Sequence, residues 1–120
     1  MKALLIDPVA KTVTEVDYKK GLKSLYKLLE CEMVEAPVYF DNGDVLYCDE
    51  EAWLKVGDEP INGFILPGWH SPIIGRGLVV GTDHSTGDDM PCMSSIEDVN
   101  RTSWCDPIHL RAWGEQIGLI

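Results

Sequence analysis

β-Branched and aromatic residues concentrate in the stretch Met33–Asp49, MVEAPVYFDNGDVLYCD, at Val34, Val38, Phe40, Val45 and Tyr47. Pleated positions prefer these side chains, so the stretch predicts two strands. Between them lies Asp41-Asn42-Gly43-Asp44. Asn-Gly favours a type I′ turn, in which both central residues need φ > 0, so a β-hairpin with Asn42-Gly43 at its tip is expected. A second hairpin is expected ahead of it. Lys2–Asp7 is an apolar run stopped by Pro8, Thr12–Val16 alternates with period two, and Pro8–Lys11 connects them.

A period near 3.6 governs Tyr18 to about Glu30. Leu22, Leu25, Tyr26, Leu28 and Leu29 fall on one face, and Lys19, Lys20, Lys23 and Lys27 on the other. Asp17 is the expected cap, and Gly21 weakens the first turn. Glu50–Lys55 reads as a helical turn or corner and Gly57–Pro60 as a loop. Gly63–Leu66 reads as a short strand, Trp69–Gly75 as a connector with partial strand character, and Arg76–Thr82 as a strand buried on both faces. Asp83–Pro91 is the most polar loop. Ser94 with Glu97 fits a capping box for a helix running to about Thr102. Asp106-Pro107 opens a final helix with Ile108, Leu110, Trp113 and Ile117 along its apolar side.

These elements predict one α+β domain over residues 1–120. Its mostly antiparallel sheet has about five short strands, from the two hairpins and the segments near 63–66 and 76–82. One amphipathic helix covers a face, and one or two C-terminal helices cover an end or an edge. Residues 1–83 form the core, and 84–120 add a polar loop and a helical extension. A bare sheet edge would offer a route to homodimers.

Charge narrows the function classes. The chain carries −10, unevenly: residues 1–27 hold six bases and three acids, and residues 28–120 hold four bases and 17 acids. A field of that sign repels nucleic-acid backbones and favours cationic partners. Nucleic acid is therefore not the expected partner. No apolar run reaches the roughly 18–20 residues of a membrane span, and the apolar opening is too short for a signal peptide, so a cytoplasmic protein is expected.

The four cysteines, Cys31, Cys48, Cys92 and Cys105, form no Cys-x-x-Cys pair and read as reduced, buried thiols. A metal site from Cys92, Cys105 and His109 would lack the two close ligand pairs of structural zinc, so no metal is expected. No phosphate loop, dinucleotide fingerprint or nucleophile elbow is present, and no cofactor is expected. Arg76, between Gly75 and Gly77, is one of four bases after residue 27. It reads either as an anion clamp or as an ion-pair partner for one of the many acids. Trp69, on a connector bounded by prolines, is the aromatic best placed to touch a partner. Asp83, Asp88 and Asp89 are the loop acids through which such a partner would be steered, and Lys23 and Lys27 form a basic helix face.

The opening KALLIDP, the hairpin NGDVLYCDEE and the strand RGLVVGTD resemble the domain-of-unknown-function family DUF3846 of phages, plasmids and bacteria. The resemblance spans roughly residues 1–83. It rests on turn chemistry and a buried strand and assigns no catalytic residue. It implies a small phage-type accessory protein acting inside an infected bacterium. With the acidic charge, the first expectation is a non-enzymatic protein that binds a host protein, in a host-takeover or anti-defence role. A second expectation is a small-molecule or nucleotide-signal binding module using Arg76, the helix lysines and Trp69. An enzyme with Cys, His and Asp groups assembled across loops ranks third.

Overall fold

The computed structural model describes all 120 residues. The first hairpin joins β1 (Lys2–Asp7) to β2 (Thr12–Asp17), and the second joins β3 (Val34–Tyr39) to β4 (Val45–Asp49). The strand β7 (Gly77–Thr82) inserts between the hairpins, antiparallel to both β1 and β4. The resulting order is β2-β1-β7-β4-β3, and the short β8 (Asp89–Met90) pairs with the far end of β7. The central strand is buried on both faces, as its apolar run requires. Leu78 and Val80 join one core cluster, and Val79 joins the other.

Helix α1 (Leu22–Leu29) covers the first face, where Leu25 and Leu29 pack with Ala3, Tyr18, Leu78 and Val80. Its start differs from expectation. Asp17 ends β2 and binds the N-terminal amine, and Gly21 holds the cap position at φ 124 without a side-chain cap bond. Leu22 is consequently exposed.

The other face of the sheet meets a second, three-stranded sheet. It consists of β5 (Gly63–Ile65) flanked by β6 (Ile73–Ile74) and β9 (Ser103–Trp104). Residues 63–66 therefore do not extend the main sheet as the sequence suggested. Phe64, Leu66 and Ile73 pack instead against Leu4, Ile6, Leu46 and Val79.

The short α2 (Ile96–Val99) is capped one residue later than expected, by a capping box of Ser95 and Asp98. Ser94 is drawn away to Asp44. The final helix α3 (Pro107–Gln116) starts as predicted, with the Asp106 side chain accepting from Ile108 N–H. Its inward face is narrower than predicted. Leu110 is buried and Trp113 half-buried, whereas Ile108 and Ile117 are exposed. No helix is long and apolar enough to cross a membrane.

The tip of the second hairpin is not a type I′ turn. Asn42 keeps a negative φ, and only Gly43 is left-handed, at φ 94. Gly43 N–H donates to Phe40 C=O at 3.0 Å and Phe40 N–H donates to Asp44 C=O at 2.8 Å. This is the longer loop in which an ordinary turn is followed by one left-handed residue. Asn42 is held by its side chain: Oδ1 accepts from Asp44 N–H and Nδ2 donates to Ser94 Oγ, both at 2.9 Å.

Candidate functional site

A cleft of about 500 Å³ opens beside Arg76, within the size range of roughly 300–1,000 Å³ that ligand sites occupy. Five segments build it: the β1–β2 loop, the C-terminus of α1, the 3₁₀ turn Ala52–Lys55 after β4, the loop 57–62, and residues 74–76. Asp7, Glu30, Asp49 and Glu59 contribute carboxylates, and Lys55 and Arg76 contribute the cations.

Both cations are engaged. Arg76 Nη2 lies 3.0 Å from Glu30 and 3.6 Å from Asp7, and Nη1 donates to Leu28 C=O at 3.2 Å. That carbonyl belongs to the last turn of α1, where C=O groups lack helical partners and a cation is favourable. Lys55 Nζ sits 2.7 Å from Asp49, and this hydrogen bond holds the ammonium above its usual range. Arg76 is therefore an ion-pair partner rather than an open anion clamp. Glu30 is the C-cap of α1, where the helix stops in a left-handed backbone at φ 54 that disfavours a non-glycine residue by about 1–2 kcal/mol.

The other predicted residues do not gather here. Asp83 follows the C-terminal end of β7 and Arg76 precedes its N-terminal end, so the strand holds them about 20 Å apart. Asp83 accepts from the hydroxyl and N–H of Ser85, contacts that keep its carboxyl below the usual range. Asp88 pairs with Lys20 at 3.5 Å. Asp89 accepts from Tyr18 Oη at 2.7 Å and Tyr47 Oη at 3.4 Å. Burial, together with this carboxylate, pushes both phenols up. Lys23 and Lys27 are exposed on α1 outside the cleft. Trp69 packs half-buried against the larger core cluster, its ring tilted 42° to that of His70 with centroids 4.6 Å apart.

Asp7, Glu30, Asp49, Lys55 and Glu59 escaped the sequence reading, because their proximity depends on segments far apart in the chain. Lys55 carried one usable signal, being with Arg76 among the four bases after residue 27.

The thiols are poorly placed for nucleophilic work. Burial raises all four, and Cys48, beside Glu35 and Asp49, is pushed up to about 12. A nucleophile needs the thiolate, which these environments disfavour. Cys92 lies in the larger core cluster and Cys105 against the cluster under α3, while His109 is 87% exposed beside Asp106. No group of three or more His, Cys, Asp or Glu side chains is placed to hold a metal ion.

Residues 1–101 match the family model described as Domain of unknown function (DUF3846). The chain belongs to that family. The DUF3846 match runs past the expected 1–83 region through α2 and stops before β9 and α3. Neither a curated protein nor a solved structure matches the chain. Within this DUF3846 domain the polar residues of the hairpin signature are spent internally. Asn42 and Asp44 hold Ser94, Tyr47 donates to Asp89, and Asp49 holds Lys55. Of these contacts only the Asp49–Lys55 pair lies in the cleft; the others tie the hairpin to the segments after β7.

Proposed function

We propose that this DUF3846 domain is a non-enzymatic, phage-type accessory protein that works in the cytoplasm by binding a host protein, and that the cleft beside Arg76 is its docking site. One observation carries the reading: both cations lining the cleft are already paired, with Asp7, Glu30 and Asp49, and with Glu59 the lining still holds four carboxylates to two cations. An anionic small molecule would have to break those pairs before gaining a contact. A basic side chain from a partner protein meets an excess of acceptors without doing so. The rim supports a protein partner as well, since Val9 lines the cleft while 73% exposed. Apolar groups beside charged ones suit a protein interface. The acidic remainder of the molecule would speed association with such a partner.

Capture from bacterial lysate at two salt concentrations tests the reading, alongside nucleic-acid shift and nucleotide thermal-shift assays. A partner protein released by salt supports it. A nucleotide at 100 times its Kd would add about 2.7 kcal/mol of stability, and that result would favour the small-molecule reading that the cleft volume also suits.

A further inference from the structure

We infer that α3, which lies beyond the residues matching the family, sets the outer wall of the cleft through Arg111 as its positioning residue. The inference rests on the docking role proposed for the cleft and names the element that controls its shape.

The outer wall is the loop Gly57–Pro60, which contributes Gly57, Glu59 and Pro60 to the lining. No backbone–backbone hydrogen bond holds residues 57–60. Arg111 supplies what the ladder does not: Nη2 donates to Gly57 C=O at 2.6 Å and to Glu59 C=O at 3.0 Å. Two carbonyls separated by one residue, bound to one nitrogen, fix the curvature of the loop between them. A guanidinium suits this task because it presents several donors in a rigid plane.

The helix behind Arg111 is itself anchored. Leu110 is buried with Ile61 and Ile74, and the Trp113 ring lies 5.7 Å from that of Trp53. Gly114 permits this approach, because a Cβ there would lie 2.5 Å from the Trp53 ring. The helix thus grips the 3₁₀ turn on one side of the loop and the second sheet on the other. A rigid lever of this kind, outside the shared core, adjusts the cleft without altering the sheet that carries it.

The test is ¹⁵N relaxation on the full chain, comparing wild type with Arg111→Ala and Arg111→Gln. The wild-type amides of Gly57, Asp58 and Glu59 are expected near an order parameter of about 0.85, falling below about 0.6 in both variants. Amides of β7 should not change. Arg111→Lys, which keeps a charged donor, should restore part of the order. Unchanged loop amides in the Ala and Gln variants would overturn the inference. So would loosening that reaches β7 equally in both, since Arg111 would then support the whole fold rather than the wall. The measurement uses no partner. Failure to capture a host protein would remove the docking reading and leave the role of Arg111 standing, and rigid loop amides in the variants would do the reverse.

Discussion

The carboxylate of Asp44, 1% exposed, accepts from both the N–H and the hydroxyl of Ser94, at 2.8 and 2.7 Å. It accepts from Met93 N–H as well. The hairpin tip thereby clasps the strand-free segment leading into α2, some 50 residues away in the chain. Asp44→Ala should destabilise the fold by about 3 kcal/mol, because three donors lose a charged acceptor and the buried ones lack water. Urea denaturation checks it, and a change within about 0.5 kcal/mol would mean that the clasp contributes little.

Gly43 is the one left-handed position of the same tip. Gly43→Val should cost at least about 1 kcal/mol through its φ of 94. Its Cβ would lie 2.7 Å from His84 Nε2, although that exposed ring can move. Gly43→Asn should cost less, since Asn tolerates positive φ better. Denaturation midpoints ranking glycine, asparagine and valine in that descending order would match the turn described here.

What the sequence revealed follows from how local each determinant is. Both hairpins, α1, β7 and the start of α3 rest on neighbouring residues, and they were legible. The turn type was not, because Asn42 gains more from bonds to Asp44 and Ser94 than from a left-handed backbone. The α2 cap was ambiguous in sequence, since Ser94 with Glu97 and Ser95 with Asp98 both fit the pattern. Only the distant Asp44 removes Ser94 from the choice. Residues 63–66 read correctly as a strand, but their partner β9 is two residues long and 40 positions onward, too short for a periodic signal. The cleft depends on the β1–β2 loop, the end of α1, the stretch 52–62 and residues 74–76 coming together, and Arg76 is the one lining residue that the sequence reading singled out.

Asp88 and Asp89 are adjacent in sequence but should respond unequally to charge reversal. Asp88→Lys removes only an exposed pair with Lys20 and should change stability by less than about 0.5 kcal/mol. Asp89→Lys deprives the buried Tyr18 hydroxyl of its acceptor and should cost about 2 kcal/mol or more. Equal effects in thermal or urea unfolding would contradict this division.

Alkaline pH should unfold the protein through its buried thiols and phenols. The Cys48 thiol titrates near 9.0 when unfolded and is pushed up to about 12 by burial and nearby carboxylates. A raised folded value means that its contribution is complete below the unfolded value and is lost as pH climbs from 9 towards 12. Tyr18 and Tyr47, raised in the same direction, add to the loss above their ordinary value of 10.0. Urea midpoints should therefore fall beyond about pH 9, and Cys48→Ala should flatten the first part of that fall. A wild-type midpoint that stays level to about pH 11 would contradict the burial argument.

The docking role is tested most directly at the exposed acids of the cleft wall. Wild type and an Asp58→Lys/Glu59→Lys variant would be immobilised in parallel, and the proteins each captures from bacterial lysate quantified at about 0.1 M and 0.5 M salt, where screening lengths differ about twofold. A protein retained by wild type at low salt, released at high salt and lost with the variant is the expected result. Capture that survives both the salt and the charge reversal, or a shift of labelled nucleic acid at physiological salt, would contradict a partner drawn to this anionic cleft.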